Sequence, residues 1–178
     1  MAIPALVNGT LPLGRWPASE ADLDAFASAH ASTARREKLL QDWRTLTDAV
    51  RSAVDEVAAC WLSGSFLTDK EQPGDIDAVF LVNHERINEA NTDPKKALFL
   101  QVVARSQVRQ LGLEVDSYML AWWPRPGVFQ GTTDRRESYL QERGYWDDLW
   151  SRTRETAKPH VDKLPRRGYV EVILDGYR

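Results

Sequence analysis

Apolar positions recur along the chain with two different periods, which together predict an α/β (α+β) fold. From Thr33 to Ala58 they return every three or four residues, the spacing of one face of a long amphipathic helix. Runs rich in β-branched and aromatic residues predict strands at about residues 59–62, 75–82, 113–121 and 169–174. Only about a dozen residues join the first two strands, too few for a helical crossover, so these strands are expected to pair antiparallel or to lie in a mixed sheet.

Three further helices are predicted at about residues 19–30, 93–111 and 135–156. Ser19 is an N-cap candidate with Asp22 in an acidic first turn, and Gly112 suits the end of the second of these helices. The residues before Ser19 are interrupted by Pro and Gly and predict an extended N-terminal arm at about residues 1–18. We therefore expect one domain over residues 1–178, with a small mixed β-sheet flanked by helices.

The composition narrows the class of protein. With 178 residues, 43% of them apolar and 28% charged, the chain fits a globular domain and not a disordered segment. No apolar run approaches the roughly 18 to 20 residues that cross a bilayer, and the lone Cys60 has no partner for an internal disulfide, so we expect a cytoplasmic protein with no membrane association. The net charge is −3, yet residues 121–178 carry 11 basic and 9 acidic side chains. This excess indicates either a local basic patch for phosphates or a solvated face of mixed charge.

Three aspartates in the predicted strands are the candidate catalytic and metal-binding residues. Side chains alternate along a strand, so Asp75 and Asp77 share one face, about 6.6 Å apart. Two such carboxylates repel each other and are costly to desolvate unless a cation compensates, and Mg²⁺ prefers oxygen ligands of this kind. If the strand of Asp116 lies beside theirs, the three carboxylates converge and suit two metal ions. Taken singly, an Asp-x-Asp pair also serves as a turn cap, and Asp116 also suits an edge strand.

Gly64 and Ser65 end the first predicted strand and are candidate nucleotide-binding residues. A glycine permits close approach of the backbone to a phosphate, and a serine hydroxyl with backbone N–H groups can bind the phosphate oxygens. Lys70, just past this turn, either neutralises phosphate charge or caps the loop. The order Gly-Ser, then Asp-x-Asp after nine residues, then a third Asp predicts a triphosphate held between these donors and the metals.

These motifs resemble the DNA polymerase β-like nucleotidyltransferases, whose pattern is Gly-Ser, Asp-x-Asp and a third carboxylate on a later strand. Residues 61–70 (WLSGSFLTDK) followed by Pro-Gly-Asp-Ile-Asp at 73–77 are similar to a compact bacterial and phage family of this fold. The resemblance extends to the arm at 12–17 (PLGRWP), to the Tyr145-Trp146 pair and to 167–169 (RGY). It implies a metal role for Asp75, Asp77 and Asp116, and a phosphate role for Gly64 and Ser65.

The resemblance implies transfer of a nucleoside monophosphate from an NTP to a hydroxyl group of a protein or an RNA such as tRNA, in a toxin–antitoxin or phage-defence setting. One alternative is a non-catalytic module of the same fold, an antitoxin or nucleotide sensor, that binds a partner protein through Trp-rich surfaces at residues 122–123 or 146–150. A metal-dependent phosphodiesterase is a second alternative, but it usually requires histidine ligands, which the chain does not supply at suitable spacing.

Overall fold

The protein is built around a mixed five-stranded β-sheet. We describe it from a computed structural model that covers residues 3–30, 32–123, 135–155, 158–163 and 166–177, without the side chains of 135–137, 154–155 and 158–163. The strands are β1 (Arg15–Ala18), β2 (Ala59–Ser63), β3 (Ile76–Asn83), β4 (Val115–Trp122), β5 (Thr153–Glu155), β6 (Lys158–Lys163) and β7 (Tyr169–Ile173). The helices are α1 (Glu20–Ala29), α2 (Thr33–Val54), α3 (His84–Ala90), α4 (Pro94–Ala104) and α5 (Arg135–Trp150), with 3₁₀ turns η1 (Ser65–Leu67) and η2 (Val108–Leu111).

The strand order of the main sheet is β1-β7-β2-β3-β4, and β5 and β6 form a separate antiparallel pair. Strand β2 is antiparallel to both of its neighbours, whereas β1 pairs with β7 and β3 pairs with β4 in parallel. This arrangement confirms the mixed sheet and the antiparallel pairing of the first two predicted strands. It also brings the C-terminal end of β2 beside the N-terminal ends of β3, β4 and β7.

Helices cover both faces of the sheet. One face packs against α1, α2 and α4, and its apolar core includes Trp43, Leu62 and Phe80. The other face packs against α5 through a smaller aromatic cluster that includes Trp61 and Trp150. Every residue of β2 is buried, as expected of a central strand covered on both sides. Within the described residues, no helix is both long and apolar enough to span a bilayer.

Local capping explains where several helices begin and end. Ser19 is the N-cap of α1, as the sequence predicted, and it forms a capping box with Asp22. Helix α2 was predicted to reach Ala58 but ends at Val54, because Asp55 has a φ of +66° and its N–H closes the last turn on the carbonyl of Arg51.

The helix predicted for residues 93–111 is interrupted. Helix α4 ends at Ala104, and Ser106 has a φ of +54°. Only the short turn η2 follows, and Gly112, the predicted helix end, caps that turn in a left-handed conformation. Helix α5 ends at Trp150, before the predicted limit at Thr156, which lies outside the described residues. The sequence did not predict β1, α3, β5 or β6, and the predicted arm contains β1.

Candidate functional site

Two of the three candidate aspartates lie side by side on adjacent strands. Asp77 in β3 is directly opposite Asp116 in β4, and Ser63 at the end of β2 is opposite Asp77 on the other side. Strand alternation places Asp77 and Asp116 on the sheet face that α5 covers, together with Val79 and Tyr118. The structure therefore brings both carboxylates to one end of one face, as the sequence predicted for neighbouring strands.

Asp75 lies just before β3, and an arginine joins it to Asp116. Arg109, in η2, donates from Nε to Oδ1 of Asp116 at 2.9 Å and from Nη2 to Oδ2 of Asp75. The Ser106 hydroxyl donates to the same Asp116 oxygen at 3.2 Å. Arg109 thus supplies a positive charge to both carboxylates, between two of the three residues predicted to bind metal ions.

The groups around Asp75 have opposite effects on the pKa of its carboxyl group. Burial raises the pKa of Asp75 and the charge of Asp116 raises it further, whereas Arg109 and Lys70 act to lower it, and the net direction is upward. Burial and the charges of Asp116 and Asp77 likewise raise the pKa of Tyr118. Burial and the neighbouring carboxylate therefore both disfavour the charged form of Asp75, and the charge of Arg109 offsets them in part.

The Gly64-Ser65 turn lies against Asp77. Gly64 has a φ of +84°, and a Cβ atom built there would be 1.8 Å from Oδ2 of Asp77. Only a residue without a side chain allows this approach and this backbone conformation. The Ser65 hydroxyl accepts a hydrogen bond from the backbone N–H of Gly74 at 3.2 Å, which ties the turn to the residue that precedes Asp75.

Two arginines of the first turn of α2 hold the loop between β2 and β3. Arg36 is buried and donates to the carbonyl of Phe66, to that of Thr68 at 2.9 Å and to that of Lys70 at 2.7 Å. Arg35 donates to the carbonyls of Pro73 and Gly74 and pairs with Glu114. The loop carrying Lys70 is therefore fixed through its backbone, which leaves the side chain of Lys70 exposed near Asp75.

The loop that leads into β7 contributes a second cation. Arg167 donates to the carbonyl of Gly64 at 3.3 Å and to the hydroxyl of Ser63 at 3.2 Å. Its neighbour Gly168 receives the N-terminal arm, since its N–H donates to the carbonyl of Leu11. The RGY segment and the arm, which are both part of the family resemblance, are thus in contact.

An aromatic surface adjoins the carboxylates. Tyr118, two residues after Asp116, has its ring 4.6 Å from that of Trp146, and Tyr145 packs edge-on against Trp146 at 5.2 Å. Tyr145 is 60% exposed, so this surface is open to a ligand at its outer end. An exposed aromatic ring such as that of Tyr145 suits stacking with a nucleobase.

The chemistry of the donors fits a hard divalent cation. The candidate ligands are carboxylate oxygens, which Mg²⁺ prefers, and a cationic group already bridges two of them. Among the residues that the structure describes, no three His, Cys, Asp or Glu side chains are close enough together to form a complete ligand group. Mg²⁺ normally retains several waters and binds through one or two carboxylates plus substrate phosphates, so a partial protein ligand set is compatible with it.

Arg109, Arg167 and Ser106 lie at this site but were not among the residues predicted from the sequence. Arg167 belongs to the RGY motif and could have been found from that signal. Arg109 and Ser106 carry no local signal, because their role depends on the break between α4 and η2 and on the pairing of β3 with β4.

The fold and this end of the sheet define a small α/β protein with clustered carboxylates and arginines. The chain belongs to a family of unknown function, DUF6932, whose model matches residues 4–173. No curated protein and no solved structure matches the chain.

Proposed function

We propose that the protein is a magnesium-dependent nucleotidyltransferase that moves a nucleoside monophosphate from an NTP to a hydroxyl group of a protein or an RNA, including tRNA. The observation that carries this proposal is the register of Asp77 with Asp116, beside a glycine turn that contacts Asp77. The proposed setting is the cytoplasm, in a toxin–antitoxin or phage-defence system.

Each residue at this end of the sheet has a definite role in the proposal. Asp75, Asp77 and Asp116 would hold two magnesium ions together with water and substrate phosphates, and the ions would neutralise phosphate charge and lower the pKa of the acceptor hydroxyl. In this proposal the backbone N–H groups at Gly64 and Ser65 and the Ser65 hydroxyl bind phosphate oxygens. In this proposal Lys70 adds a positive charge from the exposed side of the loop, and this charge acts to lower the pKa of Asp75.

The proposed reaction is an in-line displacement at the α-phosphorus. The acceptor oxygen forms a bond to that phosphorus, the bond to the β-phosphate bridging oxygen breaks, and pyrophosphate leaves with its electron pair. The acceptor proton passes to the carboxylate of Asp116. The surface of Tyr118, Trp146 and Tyr145 supports the same proposal, since it offers a face for the nucleobase beside the carboxylates.

Transfer of a label tests this function directly. The protein is incubated with Mg²⁺, each α-labelled NTP and either cell lysate or bulk tRNA, beside an Asp75→Asn/Asp77→Asn variant. The matched control is Asp48→Asn/Glu85→Gln, which removes two charges from side chains that are 79% and 72% exposed. Transfer by the wild type and the control, with loss in the first variant, supports the enzyme. Absence of transfer to every acceptor contradicts it.

The second candidate function is a non-catalytic module that binds a nucleotide or a partner protein. The bridge from Arg109 to Asp75 and Asp116 favours it, because an arginine satisfies these carboxylates without a metal. The predicted Trp-rich surfaces do not provide a broad exposed face for a partner protein. Trp150 is buried, and Trp122, Trp123 and Trp146 are partly buried. Nucleotide binding that is independent of Mg²⁺, without transfer, would favour this function.

A further inference from the structure

Arg109 occupies the space between two proposed metal ligands. Its guanidinium contacts Asp75 and Asp116 at once, and within the described part of the chain these two carboxylates are its side-chain partners. The arginine side chain is 51% exposed, whereas those of Asp75 and Asp116 are 23% and 32% exposed. The cation therefore lies on the solvent side of the carboxylates, where a nucleotide would approach.

The backbone that carries Arg109 is anchored. The N–H of Ser106 donates to the carbonyl of Ser117 at 3.0 Å, Val108 is buried, and the N–H of Gly112 returns to the carbonyl of Arg109 at 3.0 Å. Any change of partner by Arg109 is consequently a rotation of its long side chain, and the η2 turn stays in place. Rotation of an exposed side chain requires no rearrangement of the core.

A guanidinium group binds carboxylates and phosphates by the same geometry. Its planar fork of N–H donors matches two oxygens of either anion, and its charge persists at every physiological pH. A divalent cation between Asp75 and Asp116 would repel the guanidinium at close range and take its oxygen partners. The phosphate oxygens of a nucleotide bound to that cation then offer the displaced guanidinium a new partner.

We propose that Arg109 is a nucleotide-binding residue that exchanges the carboxylates of Asp75 and Asp116 for nucleotide phosphate oxygens when divalent cations bind. This inference rests on the proposed function and adds a phosphate-binding residue to it. It also explains why the site tolerates adjacent carboxylates without metal: the arginine compensates their charge until nucleotide and metal arrive together.

Two binding measurements on Arg109→Ala test this exchange, because they should shift in opposite directions. The affinity for Mn²⁺ without nucleotide should increase by up to about fivefold, since the ion pairs of Arg109 that compete with the metal are removed. Electron paramagnetic resonance of the free ion measures this affinity. Binding of α,β-methylene-ATP in the presence of Mn²⁺, followed by calorimetry, should weaken on the order of tenfold or more, since a charged hydrogen-bond donor to phosphate is lost.

Arg109→Lys and Arg105→Ala complete the design. The lysine variant keeps the charge but not the fork, so both of its shifts should be smaller than those of Arg109→Ala. Arg105 is an exposed arginine at the end of α4, and its loss should leave both affinities at the wild-type values. Thermal unfolding of each variant verifies that it is folded.

Opposite shifts in Arg109→Ala support the exchange, and an unchanged or weaker Mn²⁺ affinity, or an unchanged or tighter analogue affinity, overturns it. A merely structural role would weaken both. Failure of the proposed function is distinguishable from failure of the exchange. Absence of label transfer by the wild type, with both affinity shifts still observed in Arg109→Ala, contradicts only the proposed function. Label transfer by the wild type without the two shifts contradicts only the exchange.

Discussion

Gly64 couples the Gly-Ser turn, which we propose binds phosphate, to the carboxylate of Asp77. At a φ of +84°, with the Asp77 carboxylate oxygen in the space of a Cβ atom, this position accepts no other residue without a shift of the turn or of the acid. The contact gives the Gly-Ser motif a structural role besides the proposed phosphate binding, because the glycine also limits where the Asp77 carboxylate can lie.

We predict that Gly64→Ala destabilises the protein and abolishes Mn²⁺ binding. The added methyl group displaces Asp77 and strains the backbone, at a cost of about 1–3 kcal/mol in the free energy of unfolding. Thermal unfolding and Mn²⁺ titration measure the two effects. Gly74→Ala, in the same loop, is the control: a Cβ atom there meets no atom within 4 Å, so wild-type stability and binding are expected. Wild-type Mn²⁺ affinity in Gly64→Ala would contradict the prediction.

The candidate residues of this site differ in how visible they are in the sequence. Asp75, Asp77, Gly64 and Ser65 stand in short motifs with a fixed order, and the structure places them at one end of the sheet. Arg109 was not predictable, because a single arginine in a polar turn has no signature. Its partners are 34 and 7 residues away, and only the fold brings them together.

At the scale of elements, α2 organises the loop between β2 and β3 through its first turn. The buried side chain of Arg36 donates hydrogen bonds to the carbonyls of Phe66, Thr68 and Lys70. The arginine thereby supplies the donors that a neighbouring strand or the same helix would supply to carbonyls in regular secondary structure. Such a loop keeps its shape without regular secondary structure. The proposed phosphate-binding turn is consequently positioned by a helix on the opposite face of the sheet.

We predict that Arg36→Met lowers the free energy of unfolding by about 1–3 kcal/mol, since the buried carbonyl of Phe66 loses its donor. Amide hydrogen exchange should rise over residues 66–74, which this arginine and its neighbour hold. Arg44→Met on the same helix is the matched control, because its partners Glu20 and Asp24 are 45% and 55% exposed. Its loss should cost less than about 1 kcal/mol. Equal effects of the two variants would show that Arg36 is not what holds the loop.

The ends of helices α1 and α2 differ in how well the sequence predicts them. Ser19 and Asp22 defined the start of α1 correctly, since a capping box is local. The end of α2 was predicted too late because the apolar spacing continues through Val57, while Asp55 adopts a positive φ that the spacing does not reveal. Strand β1 was not predicted because it contains Pro17, and proline is disfavoured within strands. Strand β1 forms because it pairs in parallel with β7, which lies more than 150 residues later in the sequence.

At the scale of the whole molecule, the N-terminal arm closes over the loop that carries Arg167. A Cβ atom on Gly168 would lie 2.1 Å from the carbonyl oxygen of Pro12 and 2.8 Å from Nε1 of Trp16, which itself donates to that carbonyl. The next strand, β7, then pairs with β1. Because the arm packs against Gly168, it helps to hold the adjacent Arg167 in contact with Gly64.

We predict that Gly168→Ala detaches the arm and destabilises the protein by about 1–3 kcal/mol, the usual cost of forcing a methyl group into a packed site. Limited proteolysis should cleave the variant within residues 11–18 faster than the wild type. Gly144→Ala is the control, because a Cβ atom in that part of α5 meets nothing within 4 Å and alanine favours a helix. Unchanged proteolysis of Gly168→Ala would exclude this role for the arm.

Anomalous diffraction tests most directly whether the carboxylates of Asp77 and Asp116 bind a divalent cation together with a nucleotide. Crystals grown with Mn²⁺ and α,β-methylene-ATP should show a manganese peak about 2.1 Å from oxygens of both carboxylates, with the analogue phosphates on its other side. Bound analogue with no manganese at these residues, and with Arg109 still joining Asp75 to Asp116, would contradict the metal site on which the proposed function depends.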